Sequence, residues 1–241
     1  ISAVADLIQA ASKEAFPVVV VSAMSGETNR LIDLAQSFGS EPNKREFDAL
    51  VSTGEKVSAS LVAIALNHLG LKAKSLSAAQ FGMKTTSHFS RAKILDMNND
   101  ILFQTIEDGY IPIITGFQGI TADGDTTTMG RGGSDTTAVA IAASIKAKRC
   151  DIYTDVDGIY TTDPRIVPEA KKLDSISMEE MLELSGQGAK VIQIRAVEFA
   201  NKYNVLVRVL SSFEPGSGTL ILQEEEGMEE TKRRVKNLLP P

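Results

Sequence analysis

The sequence predicts an α/β fold with a largely parallel sheet, and three observations carry that expectation. β-Branched runs such as "PVVVV" alternate with stretches of helical period such as "TNRLIDLAQSF". Such alternation indicates strands connected through helices, the arrangement of a parallel sheet. Loops of small or polar residues follow Val21, Thr115 and Thr154, where strand carboxyl ends of such a sheet form a ligand crevice.

The elements follow in order. Val18 to Val21 reads as a strand, and Leu31, Leu34, Ala35 and Phe38 then mark one helix face at i, i+3, i+4 and i+7. A longer helical region from about Lys44 to Leu69 carries Phe47, Leu50, Val51, Val57, Leu61, Ile64 and Leu66. Gly54 is its candidate break and Gly70 its stop. Leu71 to Leu76 reads as a strand; a further helix ends at Gly109, before a strand at Ile111 to Thr115. Asp123-Gly124 between β-prone flanks predicts a hairpin. A helix from about Asp135 to Lys146 precedes a strand at Cys150 to Thr154 and a loop rich in carboxylates and hydroxyls. Helices near Met178 to Leu184 and Lys190 to Tyr203, then strands at Val205 to Leu210 and Thr219 to Leu222, complete the pattern. From about Gln223 the charged, proline-ended tail shows no sheet pattern.

Composition narrows the function classes. With 241 residues, 43% of them hydrophobic, the chain can bury a sizeable core, and the absence of Trp makes that core aliphatic. A net charge of −6 gives no general attraction to nucleic acid or to an anionic membrane. Cys150 is the only cysteine, so no internal disulfide forms and a reducing, cytoplasmic setting is expected; the thiol itself reads as a small buried hydrophobe. His68 and His88 are too few and too far apart to furnish a zinc site. Neither a signal peptide nor a membrane-spanning apolar run is evident.

The stretch "TMGRGGSDTTAVAIAA" concentrates the chemistry. Four N–H groups at a helix start lack internal partners, and the helix dipole adds positive charge there. Glycines allow close approach, Ser134 or Asp135 can cap the helix, and Arg131 offers a fork for a carboxylate or phosphate. The stretch reads as an anion site. A Walker loop, the protein-kinase triplets and a dinucleotide fingerprint are all missing, since Asp135 stands where the third glycine would be. "DVDG" lacks the remaining ligands of a calcium loop and reads as a turn, with Asp157 bonding its own backbone.

Six segments taken in order, "VVVVSAMSGETNRL", "VSTGEKVSASL", "GFQG", "TMGRGGSDTTA", "YTDVDGIYTTDPR" and "GQGAKVIQIRAVEFA", resemble the aspartate kinases of the amino-acid kinase family over about Val18 to Ile221. The resemblance implies a three-layer αβα sandwich that transfers the γ-phosphoryl of ATP to the side-chain carboxylate of L-aspartate. The product is an acyl phosphate, the first intermediate toward lysine, threonine and methionine. By the same resemblance Arg131 holds the substrate α-carboxylate, Ser134 adds a hydrogen bond, Glu55 pairs with the ammonium, and Ser22 and Thr28 line the substrate and phosphoryl region. Asp135 and Lys190 are the implied catalytic residues, Asp135 orienting groups and Lys190 contacting phosphates. Thr154, Asp155, Tyr160, Arg165 and Lys190 would hold ATP, with Mg2+ bridging its phosphates and no metal residue assigned. A homodimer is implied, with feedback by lysine or threonine through a regulatory region.

The resemblance also implies parts that the sequence does not contain. The family's K-x-G-G-T-S loop on its first strand is absent, and Ile1 reads as lying in the helix beyond it. The expectation is a catalytic domain over 1–222 without its first strand, in a sequence incomplete relative to the gene product. Residues 223–241 are then a linker or a remnant of a regulatory ACT region. Two other readings stay open: a sibling kinase acting on glutamate or acetylglutamate, and a non-catalytic nucleotide or amino-acid sensor.

Overall fold

The computed structural model describes residues 1–186 and 191–223. In chain order the elements begin α1 (Ser2–Ser12), β1 (Val19–Val21), α2 (Glu27–Gln36), α3 (Lys44–Val51), α4 (Thr53–His68), β2 (Ala73–Leu76), α5 (Ala78–Phe81), β3 (Met83–Thr85) and β4 (Ile94–Met97). They continue α6 (Asp100–Glu107), β5 (Ile111–Thr115), β6 (Gln118–Ile120), β7 (Thr126–Thr128), α7 (Gly133–Ser144) and β8 (Cys150–Thr154). Last come β9 (Ser175–Ser177), α8 (Met178–Gly186), α9 (Ile194–Tyr203), β10 (Val207–Ser211) and β11 (Thr219–Leu222). The chain divides into two compact units, Ile1–Ala138 and Val139–Pro241, the division falling within α7.

In the first unit, β1, β5 and β2 form a parallel sheet with β5 in the centre, Val19 opposite Ile113 and Ala73 opposite Ile111. All five residues of β5 are buried, which requires cover on both faces. Ile111 and Ile113 join Ala5 and Ile8 of α1 and Ala59, Val62, Ala63 and Leu66 of α4 in one aliphatic cluster. The strand period of two sends Pro112 and Ile114 to the opposite face, and α6 also packs on β5. Burial of each large aliphatic side chain stabilises this core by roughly 1.5–3 kcal/mol.

The α3–α4 region differs from expectation in two ways. The helix breaks at Ser52, not at Gly54. Gly54 serves close packing instead: a Cβ there would stand 2.8 Å from the Ala23 Cβ. The buried face of α4 is also the small one, Gly54, Ser58, Ala59, Val62 and Ala63 with Glu55 and Leu66, whereas Val57, Leu61 and Ile64 are exposed. Small side chains let the helix lie close to the sheet. Lys44–His68 is, by length and composition, apolar enough to cross a membrane, contrary to the sequence expectation. Half of its apolar window is buried in the protein, and Ala59, Val62, Ala63 and Leu66 belong to the core just described.

A second sheet, β4-β3-β6-β7, contains the expected hairpin, with Gly124 in the left-handed region and Gln118 paired to Thr128. Its short strands β3 and β4 carry little periodicity. In the second unit, β8, β10, β11 and β9 form one sheet, parallel for β8–β10 and β9–β11 and antiparallel for β10–β11. Val207, Val209, Ile176 and Ile221 are buried in it, and Cys150 is buried at the start of β8. Parallel ladders predominate, as expected. Residues 224–241, nearly all of the predicted tail, lie outside the described residues.

Candidate functional site

The loops at the carboxyl ends of β1 and β5, the start of α4 and the start of α7 line an open cleft of about 200 Å³. Six predicted residues meet there: Ser22, Thr28, Glu55, Arg131, Ser134 and Asp135. Ala23, Phe117 and the glycines Gly130, Gly132 and Gly133 complete the lining.

Glu55 sits in the first turn of α4 and is 3% exposed. The close approach at Gly54 brings it under the loop after β1, where Oε1 accepts the Ala23 N–H at 3.1 Å. Oε2 is buried and has no hydrogen-bond partner among the described residues. Desolvation dominates the carboxyl's acidity, pushing its pKa up to about 7 against the lowering effect of the Glu55 and Ala23 amides. A carboxylate in this condition needs either a proton or an incoming cation.

Arg131 stands between Gly130 and Gly132, both with positive φ, which favours glycine. Arg131 forms no ion pair among the described residues. Ser134 and Asp135 lie inside the first turn of α7 and so do not occupy the capping position expected for them. That turn is packed tightly: a Cβ on Gly116 would stand 2.7 Å from Ser134 Oγ, and one on Gly133 2.8 Å from Phe117 Cδ2. Phe117, which sequence reasoning did not single out, has φ 69°, an unusual conformation for a bulky residue. Its N–H donates to Thr137 Oγ1 at 3.2 Å and its carbonyl accepts from Met129 N–H at 2.9 Å, which holds the conformation.

Of the predicted nucleotide residues, Thr154 ends β8 and Asp155, Tyr160 and Arg165 follow it, all in the second unit. Thr154 Oγ1 donates to Asp155 Oδ1 at 3.2 Å. Tyr160 donates its hydroxyl to Asp157 Oδ1 at 2.9 Å, and Lys172 Nζ lies 3.3 Å from Asp157 Oδ2. Asp157 is therefore more than a turn former. Burial acts to raise its pKa, but the bonds from Tyr160 and Lys172 hold it below the usual carboxylate range. Arg165 pairs with Asp163 at 2.7 Å and is largely exposed. Lys190 lies outside the described residues. Among the described residues, no group of three or more His, Cys, Asp or Glu is placed to hold a metal.

With this geometry in view, the profile of the amino acid kinase family matches residues 1–211. The chain belongs to the amino acid kinase family. It is 55% identical over 214 residues to the aspartate kinase of Stutzerimonas stutzeri, covering 88% of this chain and 52% of that one. The crystal structure of E. coli aspartokinase III with aspartate and ADP, in the R-state, superposes with a TM-score of 0.84 at 30% identity, covering 92% of this chain and 60% of that one. The same enzyme with lysine and aspartate, in the T-state, gives a TM-score of 0.82 at 30% identity, covering 93% and 62%. The chain thus spans about half the length of the curated relatives it matches. Its fold is that of the amino acid kinases, an α/β sandwich with mainly parallel pairing.

Proposed function

We propose that this chain carries the kinase portion of an aspartate kinase, which transfers the γ-phosphoryl of ATP to the side-chain carboxylate of L-aspartate and forms 4-phospho-L-aspartate. The observation that carries the proposal is the polarity of the cleft: a buried carboxylate with one unpartnered oxygen and an arginine without an ion pair, both among the described residues, line the same space. A free amino acid presents the complementary pair, an ammonium for Glu55 and an α-carboxylate for Arg131. Names and ligands of the relatives support this choice.

Phosphoryl transfer needs positioning and charge neutralisation more than covalent help. The substrate's second carboxylate is already an ionised nucleophile, so no strong base is required. Glu55 and Arg131 fix the amino-acid end, Ser134 adds a hydrogen bond, and Ser22 and Thr28 line the region where the reacting carboxylate meets phosphate. Asp135 orients groups there. Thr154, Asp155, Tyr160, Arg165 and Lys190 would hold the nucleotide, and Mg2+ carried in with ATP would offset its phosphate charge.

The same buried oxygen weighs against acetylglutamate, whose acylated nitrogen carries no charge and would leave Glu55 without a cation. Feedback by lysine is proposed from the lysine complex of E. coli aspartokinase III. A homodimer in the cytoplasm, acting at the head of the lysine, threonine and methionine routes, belongs to the same proposal and rests on the family resemblance.

Hydroxylamine trapping of acyl phosphate tests it, with L-aspartate, L-glutamate and N-acetyl-L-glutamate offered separately to the intact gene product with ATP. Hydroxamate from aspartate alone is expected. Product from acetylglutamate, or ATP binding without product from any acceptor, would overturn the proposal.

A further inference from the structure

Asp48, on α3, is 0% exposed and lies outside the cleft lining. Its carboxylate accepts four hydrogen bonds. Oδ2 takes the N–H of Ser90 at 2.8 Å and of Thr128 at 2.7 Å; Oδ1 takes the hydroxyl of Ser90 at 3.0 Å and of Thr128 at 2.9 Å. Four donors converging on one carboxylate make a strong, geometrically defined junction. The segments it joins are remote in sequence: α3, the β3–β4 connection and the end of β7.

Both partners lead to the Arg131 loop. Thr128 is the last residue of β7, two positions before Gly130. Ser90 holds φ 65°, and its carbonyl oxygen would stand 3.1 Å from a Cβ on Gly130. Ala92 N–H also donates to the Thr128 carbonyl at 2.9 Å, closing the junction from the far side. In the other direction, α3 runs through Ser52 into α4 and Glu55. A second buried bond, Gln118 Nε2 to the Ser52 carbonyl at 2.9 Å, ties that hinge to β6, the partner strand of β7.

We propose that Asp48 is a positioning residue that sets the Arg131 loop against the Glu55 helix, and so fixes the spacing between the groups that bind the two poles of the amino-acid substrate. The inference rests on the reading of the cleft as an amino-acid site. Asp48 touches no reacting group; it acts through Ser90 and Thr128. Its contribution is geometric, and the chemistry of the four donors makes that testable. Two donors are backbone N–H groups that need an acceptor, whereas the other two are hydroxyls that can turn and accept. An asparagine placed with its carbonyl toward the amides and its NH2 toward the hydroxyls can therefore keep all four bonds without the charge.

The test compares Asp48→Ala and Asp48→Asn in the intact gene product, using hydroxylamine trapping for the KM of each substrate and amide hydrogen exchange over residues 128–133. Asp48→Ala is expected to raise the KM for aspartate by about tenfold or more while the KM for ATP stays within about twofold, as for a displaced positioning group. Exchange at the Arg131 loop should quicken. Asp48→Asn should restore both readouts to near wild type. Equal rises in both KM values, an unchanged aspartate KM, or an asparagine variant as impaired as alanine would overturn the proposal. Where Asp48→Ala does not fold, Thr128→Val removes one bond and keeps the N–H. A rise of about threefold in aspartate KM alone is then expected, and no change counts against the proposal. If the wild-type protein phosphorylates another amino acid instead, the functional reading fails and the same split is read with that acceptor. If it turns over none, the exchange comparison still decides the role of Asp48.

Discussion

Asp48 and Glu55 lie on consecutive helices, both shielded from water, and their surroundings are opposite. Asp48 has four donors for its two oxygens and a structural assignment that needs no ligand. Glu55 has the Ala23 amide at Oε1 and, among the described residues, no hydrogen-bond partner at Oε2, so its burial is destabilising unless a cation or proton arrives. The difference separates a carboxylate whose bonds are complete from one left open to a cation or a proton. Burial alone does not distinguish them. The count of satisfied lone pairs does.

The largest expected effect follows from removing the unsatisfied charge. Glu55→Gln should weaken aspartate binding by about 2–5 kcal/mol, the cost of losing one partner of a desolvated charge pair. The same substitution should stabilise the fold at neutral and higher pH. The carboxyl has a folded pKa of about 7 against an ordinary value of 4.5. Its penalty is absent below pH 4.5, grows as pH rises toward 7, and is full above that, reaching about 3 kcal/mol. Denaturant unfolding at pH 5 and pH 8 should show the variant gaining stability mainly at pH 8. A variant that is destabilised at both would mean the orphan oxygen is satisfied in the apo protein. Asp48→Ala should instead be destabilising, because it removes four satisfied bonds, which gives the comparison its second arm.

Arg131→Ala comes next. The side chain is exposed and makes no ion pair among the described residues, so stability should hardly change. Aspartate affinity should fall by a similar 2–5 kcal/mol if the guanidinium grips the α-carboxylate. Arg131→Lys should recover only part, because an ammonium cannot form the bidentate pair. Calorimetric titration with aspartate separates these outcomes, and a lysine variant of full affinity would argue against the fork geometry.

A smaller effect is expected from pH alone. Aspartate binding that requires ionised Glu55 should strengthen about tenfold per unit as pH rises toward 7, then level off. A flat profile between pH 5.5 and 7 would mean that Glu55 is already ionised before substrate arrives.

Much of this cleft was legible in the chain because its chemistry is local. "GRGGSD" puts an arginine between two left-handed glycines just before another helix, whereas Glu55 was reached only through the family resemblance. Strands such as Ile111–Thr115 and Thr219–Leu222 were readable from continuous apolar runs. What escaped depends on long-range geometry. Asp48 gains its meaning from residues 42 and 80 positions away, and nothing in "EFDAL" distinguishes it from a solvated helix acid. The buried face of α4 was not legible in its large apolar residues, because close packing on the sheet selected small residues over large ones. Phe117 gave no signal because a strained φ has no signature in a single sequence. Lys172 went unnoticed because its partner Asp157 was read as a turn residue.

The smallest predicted effect lies in the second unit, where an organised carboxylate again stands apart from a binding one. Asp157 is held by Tyr160 and Lys172, and Thr219 Oγ1, accepting from Ile159 N–H at 2.9 Å and donating to the Leu173 carbonyl at 2.6 Å, pins both ends of the intervening loop. With the ends fixed twice, loss of one exposed-side bond should be tolerated. Tyr160→Phe keeps the ring and removes only the hydroxyl, so the KM for ATP should rise by about two- to threefold with aspartate KM unchanged. If Tyr160 contacts the nucleotide through its ring, Tyr160→Ala should cost several times more than Tyr160→Phe. Equal effects of the two would make the hydroxyl bond to Asp157, and hence loop placement, the whole of its contribution.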